Sequence, residues 1–187
     1  MADDIIVKEC ANDPRSVQRV LNDCRELRTP YLVLTPGMKR SEALRRILVP
    51  VTRLEEETYK AEICTYIARH TGAHIILLQA NDYGSRARQN INRIVTHIER
   101  ISQQLIADGR QPVSYEIAQA RKDSFSLVKE ASERQRDFRH DLLVLTASRD
   151  YGLDDILFGP PEQHAIQRAL VPVLLVNPRE DLFSLCD

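Results

Sequence analysis

The residues best placed for chemistry lie in one stretch, "TASRDYGLDDILFGPPEQ" at 146–163, which follows the apolar run "DLLVL" and precedes a helical pattern. In an α/β protein this is where a loop cradles a phosphate, using backbone N–H groups and the positive end of a helix. The chemistry open to it is anion or nucleotide binding. Yet glycines, which let a backbone approach an anion with no Cβ in the way, are few here. Pro160 and Pro161 suit a first helical turn but carry no N–H to offer. Thr146, Ser148 and Arg149 present side-chain donors instead, Arg149 as a bidentate fork. Asp150, Asp154 and Asp155 stand close in sequence, where they would pair with Arg149 and oppose a triphosphate.

Catalysis finds less support. His70, His74, His97, His140 and His164 fall at helix ends, a strand start and helix faces, with no H-E-x-x-H spacing. His140 precedes "DLLVL" and belongs at a strand entrance, away from the ligand end of a sheet. Ser124 and Ser126 sit where a helix starts, as caps. The carboxylates of "DYGLDD" suit Mg²⁺ through one or two oxygens but read as solvated loop acids. Cys10, Cys24, Cys64 and Cys186 are scattered, without C-x-x-C spacing, and read as reduced thiols. No catalytic constellation and no metal-ligand set emerges, so the expectation is a protein that is not an enzyme.

The elements that must position the loop alternate. "RRILVPV" at 45–51 is a β-branched strand, followed from Glu55 by a helical pattern that ends at Gly72. "AHIILLQ" at 73–79 is the next strand, and Ile91, Ile94, Val95, Ile98, Ile101 and Leu105 form a helical stripe. "VSYEIA" at 113–118 precedes a less regular helix spanning Phe125 to Phe138. "DLLVL" at 141–145, a helix at 162–170 and "VPVLLV" at 171–176 complete the series. Such alternation predicts five parallel strands with helices on both faces. Ligands bind beyond the carboxyl ends of such strands, so the candidate loops follow Val51, Gln79 and Leu145.

The first 38 residues repeat the end of the chain. "DDIIVKECANDPRSVQRVLNDCRELRTPYLVLTPG" and "HDLLVLTASRDYGLDDILFGPPEQHAIQRALVPVLLVNP" share an acidic residue opening a strand, a proline at a helix start, an amphipathic helix and a strand of the form x-Pro-Ø-Leu-Ø. Pro14 suits N1 and Asp13 the N-cap. One β-α-β unit is duplicated, and the front copy cannot bury its apolar faces alone. The expected organisation is a β-α-β unit at 1–38, a linker at 39–43, a full domain at 44–178 and a tail at 179–187.

Bulk numbers exclude several classes. The 187 residues carry 26 Lys and Arg against 27 Asp and Glu, a balance with no general pull toward nucleic acid. Arg86, Arg88, Arg93 and Arg100 read as a solvated helix face. No apolar run reaches the ~18 residues of a membrane span, and "MADDIIVKEC" lacks the basic and apolar regions of a secretory signal. A cytoplasmic protein without membrane insertion is expected.

The order "RRILVPV … GAHIILLQA … HDLLVLTASR … FGPPEQHAIQRALVPVLLV" resembles the universal stress protein family over about residues 44 to 178, and the front repeat resembles the end of a second such domain. The resemblance implies a Rossmann-like fold of the adenine nucleotide alpha hydrolase type, dimers or tandem pseudo-dimers joined through the last strand, and a role in stress survival. Many members bind ATP through G-x2-G-x9-G-[S/T] after the fourth strand. Laid on this chain, that pattern falls on Thr146, Arg149, Gly159 and Pro160, so that Gly159 alone is kept. The family's aspartate after the first strand is replaced by Thr52, in "VPVTRLEE". Thr52, Thr146, Arg149, Gly159 and Pro160 thus mark a vestigial nucleotide-binding loop.

The implied function is a universal-stress-type protein that binds no ATP and needs no cofactor, acting as a homodimer through its terminal strands or through protein partners. Two alternatives stand beside it. One is an ATP-binding sensor with a remodelled loop, and the other a cytoplasmic regulatory part of a larger protein such as a transporter, since it is open whether Met1 is the natural start.

Overall fold

A computed structural model of the chain describes residues 5–53, 55–80, 85–121, 127–147 and 160–177. Arg149, Gly159, the acids at 150, 154 and 155, Ser124, Phe125, Ser126 and the tail from 179 lie outside them.

The strands are β1 (Ile6–Glu9), β2 (Tyr31–Leu34), β3 (Arg46–Val51), β4 (His74–Gln79), β5 (Tyr115–Gln119), β6 (Leu142–Thr146) and β7 (Val173–Val176). Between them run α1 (Pro14–Cys24), a 3-10 turn (Glu55–Thr58), α2 (Tyr59–Thr71), α3 (Ser85–Ala107), α4 (Leu127–Glu133), α5 (Gln135–Phe138) and α6 (Pro161–Arg168). Local chemistry sets several boundaries. Asp13 caps α1 by accepting from Arg15 N and Ser16 N, both at 3.0 Å, with Pro14 at N1. Gly72 ends α2 in the left-handed region at φ 73, which costs glycine no Cβ clash. The helix expected from Phe125 to Phe138 is interrupted at Arg134, whose φ of −98 and ψ of 28 leave the helical well. β5 starts at Tyr115 rather than Val113, because the Val113 N–H turns to Ser102 Oγ of α3 instead of a neighbouring strand.

The strands form one seven-stranded sheet in the order β1-β2-β7-β6-β3-β4-β5. Central β3 is buried from Ile47 to Val51, the continuous apolar run of a strand covered on both faces. One face packs on α1, α4 and α6 through Val17, Leu21, Leu127, Ala131, Ala165 and Ile166. The other packs on α2 and α3 through Cys64, Ile67, Ile91, Ile94 and Ile98. Four arginines of the α3 segment, Arg86, Arg88, Arg93 and Arg100, are exposed, as a solvated face requires.

The front unit joins this sheet through an antiparallel pair, with Tyr31 opposite Leu175, Leu32 opposite Leu174 and Val33 opposite Val173. Each half repeats the other's register: Ile6 stands beside Tyr31 in parallel, and Leu143 beside Val173. Leu32 and Leu174 therefore straddle a pseudo-twofold axis normal to the sheet. Asn177 fastens the junction, its buried amide donating to Cys24 O and Leu27 O, each at 2.7 Å. The five-stranded sheet is thus extended to seven. The strands "VPVLLV" and "TPYLVL", expected to pair across a dimer, pair with each other inside one chain, and β7 has β6 and β2 on its two sides.

Candidate functional site

The strand order reverses between β3 and β6: β4 and β5 follow β3 on one side, while β6 and β7 lie on the other. A ligand crevice belongs at the carboxyl ends of these two strands. Their registered pairs are Ile47 with Leu142 and Leu48 with Leu143, short of the strand ends at Val51 and Thr146. Even-numbered residues of β3 turn their backbone groups toward β6, as Asp141 N donating to Arg46 O at 2.9 Å shows. Pro50 follows that direction, so its missing N–H removes no registered ladder bond, and its carbonyl is left for another donor.

That donor is Lys60, from the first turn of α2. Its Nζ donates to Pro50 O and forms an ion pair with Glu57 Oε2 of the 3-10 turn. The Lys60 side chain is 1% exposed and that of Glu57 4%. Thr52 Oγ1 donates to Glu57 Oε1 at 2.8 Å, and Asn90 of α3 donates through Nδ2 to Thr52 O at 3.1 Å. All four residues are buried. Within the cluster Glu57 Oε1 accepts from Thr52 and Oε2 faces Lys60, while Thr52 is held at both its side chain and its carbonyl.

Thr52 therefore sits at the switch point, as its place in the sequence requires. Thr146 ends β6 beside Val176, and its Oγ1 is buried with no hydrogen-bond partner among the described residues. Pro160 is the N-cap of α6, extended at φ −67 and ψ 152, and Pro161 is N1. The helix start accordingly lacks two of the N–H groups an anion would use. Arg149 and Gly159 lie outside the described residues. Glu57, Lys60 and Asn90 escape sequence reasoning. The signal was "EETYK", where Glu57 and Lys60 are spaced i, i+3 directly after the strand, but such a pair looks like a solvated first turn.

Other reactive groups lie elsewhere. His140 is 1% exposed just before β6, at the opposite end of the sheet, and burial lowers its imidazole to about 4, with Asp141 raising it and Arg46 lowering it further. Burial drives the Cys64 thiol up to about 12, leaving it unreactive. No group of three His, Cys, Asp or Glu suited to a metal occurs among the described residues. A groove of 340 Å³ lies at that same far end, lined by Leu32, Leu34, Leu44, Ile67 and Leu174 with Arg40, Ser41 and Asp141 at its polar side. Partial burial opposes the Asp141 charge, but hydrogen bonds from Ser41 Oγ, Arg45 N and Arg46 N hold its carboxyl below the usual range.

Comparison with known proteins places this geometry. A model of the universal stress protein family matches residues 43–177. A universal stress protein from Archaeoglobus fulgidus DSM 4304 is similar in structure, with a TM-score of 0.61 at 14% identity, over 95% of this chain and 62% of that one. A universal stress protein in complex with cAMP gives 0.54 at 15% identity, over 74% of this chain and 100% of that one. A functionally unknown protein from Pseudomonas aeruginosa PAO1 gives 0.53 at 15% identity, over 97% of this chain and 65% of that one. This chain thus spans less than two thirds of the Archaeoglobus and Pseudomonas chains, and at these identities the likeness is one of fold. No curated protein matches it. No helix among the described residues is long and apolar enough to cross a membrane.

Proposed function

The chain belongs to the universal stress protein family, and on that premise we propose that it serves the stress response as a non-enzymatic protein that does not bind ATP and acts by contact with itself or with other proteins. The observation carrying this reading is the buried cluster of Lys60, Glu57 and Thr52 at the switch point. A nucleotide held there needs a carboxylate free to accept from ribose hydroxyls. The carboxylate present has both oxygens engaged: freeing Oε1 gives up a buried hydrogen bond from Thr52, and freeing Oε2 breaks a buried ion pair with Lys60, which is strongly unfavourable. Pro160 and Pro161 support the same reading from the phosphate side. Non-enzymatic action accords with the buried, raised thiol of Cys64 and with His140 lying at the far end from the crevice.

A second reading, a nucleotide sensor with a remodelled loop, draws on the buried Thr146 hydroxyl, which has no hydrogen-bond partner among the described residues, and on the structural neighbour that holds cAMP. Calorimetric titration with Mg-ATP and with cAMP separates the two, run beside an Arg149→Gly, Pro160→Ser double variant. The proposed function expects no heat from the natural chain. Micromolar binding by the natural chain that the double variant does not improve would sink it in favour of the sensor.

A further inference from the structure

Resting on the reading that this protein acts by contact with other proteins, we infer that the outer face of α3 docks a carboxylate-rich segment of a partner protein, gripped by the row Arg86, Arg93 and Arg100.

Seven residues, close to two helical turns, separate each arginine of the row from the next. The three side chains therefore leave one side of α3 at intervals of about 10.5 Å, a row of about 21 Å in all. All three are exposed, and the exposed Gln89, Thr96 and Gln103 run beside them at the same spacing without charge. The opposite side of the helix packs on the sheet through Ile91, Ile94 and Ile98. The contacts of α3 are with β3 and β4, away from β1 and β2.

A merely solvated face mixes the two signs of charge and pairs them across a helical turn. Exposed arginines elsewhere in the chain do find carboxylates: Arg40 meets Glu9 at 2.7 Å, and Arg168 meets Glu133 at 3.2 Å. The helix α3 differs, holding four arginines and one acid, Glu99. The Glu99 carboxylate is engaged by the Tyr115 hydroxyl of β5 at 2.9 Å. Among the described residues no carboxylate forms an ion pair with Arg86, Arg93 or Arg100. Arg100 instead donates through Nη2 to His97 Nδ1 at 3.4 Å. Burial and then Arg100 hold that imidazole below its ordinary range, with Glu62 of α2 opposing, so His97 steadies the guanidinium without cancelling its charge. Past the end of the helix Arg110 donates to Arg69 O of α2 at 3.4 Å, which adds cations at the far end of the face. Against them stand Glu62 and Asp108.

The chemistry of the row selects its partner. Every cation on α3 is an arginine and none a lysine. A guanidinium takes a carboxylate through two parallel hydrogen bonds, sheds water more easily than an ammonium, and is the cation enriched at protein interfaces. Single-stranded nucleic acid would need aromatic platforms, and α3 carries no aromatic residue. A bilayer would need a free apolar face, and that of α3 is buried on the sheet. A net charge of −1 gives a long polyanion no general attraction, whereas a short acidic segment meets only the local row.

The test is fluorescence anisotropy of the full chain with a labelled glutamate- and alanine-rich peptide of about 20 residues, long enough as a helix to span the row. A labelled thymidylate oligomer of equal charge and phosphatidylserine vesicles are run beside it. The parent is expected to bind the peptide more tightly than the thymidylate and to stay unbound to the vesicles. Arg93→Gln/Arg100→Gln is expected to weaken peptide binding roughly tenfold while keeping the parental melt. Arg15→Gln/Arg19→Gln removes the same charge from exposed positions of α1 and is expected to bind as the parent does. No peptide binding by the parent, an equal loss in both variants, or a preference for thymidylate or vesicles overturns the inference. Mg-ATP titration of the same samples keeps the two readings apart. A chain that ignores both peptide and ATP refutes the docking face alone, whereas one that binds both refutes the proposed lack of ATP binding and leaves the face standing.

Discussion

Replacing Lys60 by methionine tests whether the switch-point cluster is a closed structural unit. The Lys60 and Glu57 side chains are 1% and 4% exposed, so neither charge is screened by water. Methionine fills much of the lysine volume but leaves the Glu57 carboxylate buried with Thr52 as its one hydrogen-bond donor in the cluster. Breaking a buried pair from one side costs about 3–5 kcal/mol. For a chain of this size about 1 kcal/mol moves the melting temperature by roughly 2–4 °C, so a fall on the order of 6–20 °C is expected. Glu57→Gln should also destabilise, because Lys60 then keeps Pro50 O but loses its counter-charge. The double variant removes both charges and should lie above the sum of the singles by about 2 kcal/mol or more, the sign of direct coupling. Differential scanning calorimetry and urea unfolding of the four proteins read this out. A Lys60→Met melt within about 2 °C of the parent, or strict additivity, would refute a desolvated ion pair and with it the support that the cluster lends to the proposed function.

Three further outcomes follow from the same geometry. His140 is neutral in the fold with its pKa lowered to about 4, while in the unfolded chain it binds a proton near the ordinary value of about 6.5. Its contribution is whole above that value and is lost as pH falls through the window between the two, by up to ~1.4 kcal/mol per pH unit. Urea midpoints between neutral and acid pH should therefore fall less steeply for His140→Gln, and equal slopes would contradict the assignment. Asn177→Ala leaves the carbonyls of Cys24 and Leu27 without the donor that now reaches them and should cost about 1–3 kcal/mol. Hydrogen exchange should then rise selectively in α1 and β2, whereas a uniform rise would deny that Asn177 fastens the front unit. In native maleimide labelling read by mass spectrometry, Cys64 should stay unmodified until the chain is unfolded, since burial raises its thiol to about 12; early labelling would show that α2 opens.

What the sequence offers on the expected loop is local chemistry. Pro160 and Pro161 cannot donate wherever the loop runs, and Thr52 stands where a carboxylate would be needed. The buried cluster beside the strand ends could not be read. Glu57 and Lys60 look like any helix-start pair, and their burial depends on α3 bringing Asn90 over them and on β6 leaving the Pro50 carbonyl unclaimed.

The strands, their alternation with helices, the caps at Asp13 and Gly72 and the kinship of the two β-α-β units follow from the sequence alone. Periodicity, glycine and proline act on the backbone within a few residues, so these features need no distant partner. The break at Arg134 and the meeting of β2 with β7 belong to the tertiary structure. So does the contrast between buried Val144 and exposed Val7. Two segments with one pattern form the same strand, but whether its edge and face are covered depends on neighbours distant in the chain, and local sequence carries no record of them.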